Sequence, residues 1–254
     1  MAKTVAVANQ KGGVGKTTTA VNIAACVGAQ GKKVLLIDSD PQGNASSGFG
    51  IFKREKENSV YPVLTGEAQI TDNIKTTSFK NVDLLPSCID LAGAELELAE
   101  MDNRVFRMKD AIAQVADRYD YIFIDCPPSL GLLTLNALAA SQSVLMPIQC
   151  EFYALEGMSQ LMNTIRQVKR LYNPTIEIEG VLLTMFNPQL NLTNQVMNEV
   201  KKFFPGKVFK TTIPRNVRLS EAPSFGMPVL YYERTSKGAM AYSELAAEFL
   251  HNNR

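Results

Sequence analysis

The run Asn9-Gln10-Lys11-Gly12-Gly13-Val14-Gly15-Lys16-Thr17-Thr18 is rich in glycine, ends in Lys-Thr-Thr and carries a second lysine upstream. Glycine admits positive φ and close backbone approach, so the N–H groups from Gly12 through Val14 to Gly15 can converge on phosphate oxygens. Lys16 can then reach the β- and γ-phosphates of a nucleoside triphosphate, the Thr17 hydroxyl can serve Mg²⁺, and Thr18 can donate to the α-phosphate. Gln10 stands where the first glycine of G-x-x-x-x-G-K-[ST] belongs, a departure from the standard loop. Lys11 is one cation more than phosphate binding requires. Supplied to a triphosphate on a second copy of the chain, it would make nucleotide occupancy and dimerisation two readings of one equilibrium. The plain alternative is a solvent-exposed lysine at the loop entrance.

Carboxylates recur where such a loop would use them. Leu35-Leu-Ile-Asp38-Ser-Asp40-Pro-Gln-Gly-Asn44 places two acids after an apolar run. Asp40 is the candidate for positioning and polarising an attacking water, with Asp38 assisting either Mg²⁺-bound waters or loop geometry. Tyr121-Ile-Phe-Ile-Asp125 is the Walker B arrangement, in which the carboxylate holds the hydration shell of Mg²⁺. Pro127 and Pro128 stiffen the connection out of that run, and Gly131 offers a pivot, as a switch sensing the γ-phosphate needs.

These groups must be positioned by strands and helices in alternation. Apolar runs predict strands at Thr4–Ala8, Lys33–Asp38, Val82–Leu85, Tyr121–Asp125, Ser143–Ile148, Gly180–Met185 and Val208–Ile213. Helical patterns lie at Lys16–Ala29, Leu91–Asp117, Leu132–Ala139, Leu155–Leu171, Leu192–Phe204 and Lys237–Leu250. That order predicts one α/β unit over residues 1–254, a doubly wound, mostly parallel sheet flanked by helices, with ligands at the carboxyl ends of the strands. Pro214-Arg215-Asn216-Val217-Arg218 follows the last strand and should lie at the same edge.

A chain of 254 residues, 46% hydrophobic, can bury one substantial core. The cysteines Cys26, Cys88, Cys126 and Cys150 are scattered, as expected of buried thiols in a reducing compartment. The start lacks a signal-peptide core and no apolar run reaches membrane-spanning length, so a cytoplasmic location is expected. Net charge is +1, yet from Lys201 to Arg254 nine Lys or Arg face four Glu. This asymmetry fits either a solvated face or a phosphate-backbone partner.

Taken together, KGGVGKTT with Lys11, LLIDSDPQGNAS, YIFIDCPPSLG and IPRNVRLSEAPSFGMPV resemble the ParA/Soj family of partitioning ATPases, the deviant Walker A class of P-loop NTPases, over nearly the whole chain. The resemblance implies an ATP and Mg²⁺ cycle in the cytoplasm, at the nucleoid: ATP produces a sandwich homodimer, the dimer binds double-stranded DNA nonspecifically, and a ParB/Spo0J-type partner stimulates hydrolysis. It implies that Lys11 crosses the dimer interface, that Pro214 and Asn216 hold the adenine, and that Arg215 and Arg218 serve DNA or the dimer rim. Gln189 stands where relatives carry an arginine, so Arg218, with Lys201, Lys202, Lys207 and Arg234, is left to supply DNA contacts. No helix-turn-helix is expected before the first strand. Glu95, Glu97, Glu100 and Asp102 form either a solvated face or a receiver for a basic partner segment. A MinD-like membrane regulator is the alternative, and it would need an amphipathic basic C-terminal helix where this chain has two glutamates and a small apolar face. An iron–sulfur protein and a metabolic ligase or tyrosine kinase built on the same loop are further rivals.

Overall fold

The structure is a computed structural model; it describes residues 1–53, 55–151 and 154–254, and of residues 154–157 the backbone alone. Seven strands, β1 (Lys3–Val7), β2 (Val34–Asp38), β3 (Lys75–Thr76), β4 (Val82–Leu85), β5 (Tyr121–Asp125), β6 (Ser143–Gln149) and β7 (Glu177–Thr184), form one sheet ordered β3-β4-β2-β5-β1-β6-β7. All neighbours are parallel except the short edge strand β3, which runs antiparallel to β4. The order reverses beside β1, so the turn after it faces a crevice at the carboxyl edge.

Every residue of β2 and β5 is buried, because helices cover both faces of a parallel sheet. Side chains alternate between the two layers. Leu35, Ile37, Ile122 and Ile124 join one core, while Val34, Leu36, Tyr121 and Phe123 join the other. The helices are α1 (Lys16–Ala29), α2 (Asn44–Gly48), α3 (Val60–Thr65), α4 (Ile70–Asn73), α5 (Leu91–Ala99), α6 (Arg107–Ala113), α7 (Leu132–Ala140), α8 (Ala154–Leu171), α9 (Asn191–Phe203), α10 (Val217–Glu221), α11 (Val229–Tyr232) and α12 (Lys237–Asn252). Helix α1 is buried on most of its circumference, between the sheet and α12.

Two sequence expectations change. The helix expected over Leu91–Asp117 is broken into α5 and α6 by a turn in which Asn103 is left-handed, φ 55°. The Asn136 side chain from α7 fastens the break, donating to Arg104 O at 2.7 Å and accepting from Met108 N at 3.1 Å. The strand expected at Val208–Ile213 forms only isolated bridges, Val181 to Val208 and Phe186 to Pro214. Its middle N–H groups are taken elsewhere: Lys210 N and Thr211 N donate to the Glu248 carboxylate of α12, at 2.7 and 2.9 Å. The four cysteines are free and buried, as composition suggested.

Candidate functional site

The phosphate-loop residues span the turn from β1 into α1. Gly13 and Gly15 have φ 74° and 87°, values that disfavour any residue with a Cβ. Gly12 is not in that region and has open space around it, so backbone freedom does not explain it. The loop is pinned from outside. Asn9 Oδ1 accepts from Lys11 N at 3.0 Å while Asn9 Nδ2 donates to Pro147 O at 2.7 Å, and Thr184 Oγ1 donates to Val14 O at 2.8 Å. Thr17 and Thr18 open α1 and are half-buried. The Gln10 side-chain oxygen is buried with no hydrogen bond among the described residues.

The two lysines differ in setting. Lys16 is 7% exposed and its Nζ donates to Lys11 O at 3.0 Å. Burial lowers its pKa, against the opposing pull of Asp125, Cys126 and Asp40. Lys11 points away and pairs with Glu151, at the end of β6, at 2.7 Å, with the two side chains 35% and 48% exposed. An ion pair that open to solvent contributes little and can be exchanged for a better anion.

Beside the loop lie the carboxylates. Asp38 and Asp125 are register partners on β2 and β5, both fully buried. Asp38 faces its own loop: Oδ2 accepts from Ser46 N at 2.7 Å and Ser46 Oγ at 2.6 Å, and Oδ1 from Asp40 N at 3.3 Å. Loop geometry, of the two roles open to Asp38, is where its oxygens are engaged. Burial pushes it up to about 6, with these hydrogen bonds opposing. Asp40 is 7% exposed and accepts from Gln42 N at 2.9 Å.

Among the described residues Asp125 has no hydrogen-bond partner on either oxygen. Burial first, then the charge of Asp38, raises its pKa well above the usual carboxylate range; the Thr17 hydroxyl beside it favours the charged form without closing a bond of good geometry. An orphaned buried carboxylate next to a threonine hydroxyl and a phosphate loop fits a hydrated Mg²⁺, which takes few protein ligands and keeps waters.

That orphan makes a stability prediction. The unfolded carboxyl titrates near pH ~3.9 and the folded one higher, so between the two values the folded chain alone holds the proton. Stability therefore falls as pH rises through this window, and the full cost stands above the folded value. Asp125→Asn, without nucleotide or magnesium, should gain about 1–3 kcal/mol at pH 8, roughly 2–6 °C in melting temperature, and close to nothing at pH 4. Melting curves at the two pH values check this; equal or lower stability of the variant at pH 8 would contradict it.

A cavity of about 440 Å³ runs from Gly15, Thr17 and Thr18 to Pro214, Arg215 and Asn216. Asn216 Oδ1 caps α10, accepting from Arg218 N at 3.1 Å. Ile213 N donates to Leu183 O at 2.9 Å and Phe186 N to Ile213 O at 2.9 Å, which hold this segment at the carboxyl edge of the sheet. Arg215 and Arg218 do not come together with Lys201 and Lys202. Arg215 and Arg218 sit at that edge, with Arg218 paired to Glu221 at 2.7 Å. Lys201 and Lys202 end α9 near the other end of β7, because the chain then climbs from Val208 beside Val181 to Pro214 beside Phe186, a rise of about 16 Å. Lys202 is paired with Glu199 at 2.6 Å.

A family model described as an AAA domain matches residues 2–178. The sporulation initiation inhibitor protein Soj of Bacillus subtilis is 57% identical over 252 residues, 99% of this chain and 100% of that protein. The chromosome partitioning protein ParA of Myxococcus xanthus is 51% identical over 246 residues, 97% of this chain and 87% of that protein. Among solved structures, cobyrinic acid a,c-diamide synthase of Mycobacterium smegmatis with bound ADP and magnesium aligns with a TM-score of 0.86 and 37% identity, covering 99% of this chain and 95% of that one. With a phosphate loop bearing Lys11 and Lys16, a Walker B aspartate and full-length likeness to partitioning proteins, this chain belongs to the ParA/Soj family of chromosome-partitioning ATPases.

Proposed function

We propose that the chain is an ATP-timed switch of DNA segregation in the cytoplasm. ATP bound with Mg²⁺ joins two copies, the dimer holds double-stranded DNA without sequence preference, and hydrolysis stimulated by a ParB/Spo0J-type partner releases it. The observation that carries this reading is Lys11, a second loop lysine turned outward into a half-exposed pair with Glu151. In the dimer Lys11 exchanges Glu151 for the phosphates on the other copy.

Within one copy, Lys16 and the N–H groups of Gly12 to Thr18 take the phosphates, and Pro214 and Asn216 border the adenine. Thr17 and Asp125 hold the Mg²⁺, Asp125 through its water shell and Asp38 from behind by fixing the adjacent loop. The metal so held would supply positive charge to the phosphates. Asp40 positions the water.

DNA is placed on the Arg215–Arg218 edge. Neutralising phosphates makes such binding fall steeply with salt. Arg218→Ala should weaken ATP-dependent DNA retention equally across sequences and lower the salt slope by about 1. Retention unchanged in that variant would show that the DNA face lies elsewhere.

The apolar face of α12, with Tyr242, Leu245 and Phe249, is buried against α1 and the sheet, so this helix does not offer that face to a membrane. Among the described residues no helix is long and apolar enough to cross a membrane. ATP turnover that needs no amide-forming substrate and rises with DNA and a basic ParB-type peptide separates the switch from a ligase.

A further inference from the structure

We infer that Glu95 is a positioning residue for loop 126–131, the connection out of Asp125, and acts on it from α5 through the first turn of α7. Helix α7 starts without a cap of its own, since its N-cap is Gly131. The opening N–H groups of a helix need acceptors, and a negative charge suits that end. Glu95 supplies both, its Oε1 accepting from Leu133 N at 3.1 Å. Of the acidic positions on this stretch, Glu95 is half-buried and engaged with α7, whereas Glu97 is exposed and accepts from the Tyr61 hydroxyl.

Gly131 supports the same reading from the other side. Its φ of −79° and ψ of −166° are extended, open to any residue, so the pivot expected from the sequence is not why glycine stands there. A Cβ at this position would overlap Glu95 Oε1 and stand 3.0 Å from Oε2 and Cδ. The glycine makes room for the carboxylate. Because the obstacle is the end of a flexible side chain, alanine at 131 would evict Glu95 rather than move the backbone.

The loop is held at both ends. Cys126 N donates to Val7 O on β1 at 3.2 Å, and Thr134 Oγ1 of α7 donates to Ser129 O at 2.6 Å. Pro127 and Pro128 restrict bending between those points. Where α7 begins therefore bears on where the loop beside Asp125 lies, and Glu95 fixes that beginning. The cavity beside the phosphate loop is lined mainly by α1, α2 and the segment 213–227, and by no residue of α5.

This role rests on the proposed ATPase activity, and one experiment separates the two. In the full chain, Glu95→Ala should lower kcat for ATP roughly three- to tenfold with the affinity for ATP nearly unchanged, the scale of one lost cap. Glu95→Gln keeps an acceptor oxygen and should retain most of kcat. Gly131→Ala should copy Glu95→Ala, and the double variant should be no worse than Glu95→Ala alone, in kcat and in melting temperature. Multiplying losses, an unchanged kcat in Glu95→Ala, or Glu95→Gln as slow as Glu95→Ala would overturn the role while leaving the ATPase intact. A wild-type chain that does not hydrolyse ATP would remove the proposed function first and this role with it.

Discussion

Asp40→Ala, given ATP and magnesium, is expected to elute as a dimer that persists for hours and retains nonspecific DNA, whereas the wild-type dimer decays as its nucleotide is hydrolysed. Asp40 follows β2 two residues after Asp38, is 7% exposed, and has Oδ1 held by Gln42 N at 2.9 Å while its own carbonyl accepts from Gly43 N at 2.8 Å. The carboxylate is thus fixed at the edge where Asp125 is proposed to hold the metal, but it belongs to neither the phosphate loop nor the proposed adenine wall. Removing a group that orients and polarises water costs about 10²–10⁴ in rate, and it leaves the contacts that bind nucleotide in place. Hydrolysis should therefore fall at least ~100-fold with dimer assembly intact. Sizing chromatography with ATP, then with added DNA, reads both. A variant that stays monomeric with ATP would overturn the mechanism, because trapping requires that hydrolysis, not binding, be what was lost.

Spacing alone made part of this site legible. A strand, three glycines, Lys-Thr and a helix are consecutive in the chain, so β1, the loop and α1 could be read directly, as could the aspartates that end β2 and β5. The groups that hold them in place were not legible, because each arrives from far along the chain. Thr184 reaches the Val14 carbonyl, Glu151 reaches Lys11, and Glu248 removes two N–H groups from what reads as a strand. No periodicity encodes such pairings. The Ser46 contact with Asp38 is nearer, eight residues away, yet serine in a polar turn carries no distinguishing signal. Gly131 shows the limit most clearly: sequence gives a glycine after two prolines, and only the neighbouring carboxylate from α5 explains it.

Lys11→Ala is expected to cripple ATP-dependent dimerisation, a shift of at least ~30-fold in dimer dissociation constant, while the single chain keeps ATP affinity within about threefold. Two observations set this split. Lys16, not Lys11, is the lysine buried in the loop, and its contact with the Lys11 carbonyl uses backbone that alanine retains. The Lys11 ammonium is committed to Glu151 in the isolated chain, so deleting it removes a half-exposed surface pair worth little there. Across a dimer interface the same ammonium would meet a triphosphate away from bulk water, where a charge-assisted contact is worth roughly 2–5 kcal/mol. The loss therefore falls on association. Glu151→Gln provides the opposite test: it frees Lys11 from its resting partner, so dimerisation with ATP should be at least as tight as in the wild type. Nucleotide titration of the single chain and sedimentation with ATP measure the two quantities separately. Equal loss of both in Lys11→Ala would make Lys11 one more basic side chain at the loop, and the coupling of nucleotide to dimer would need another residue.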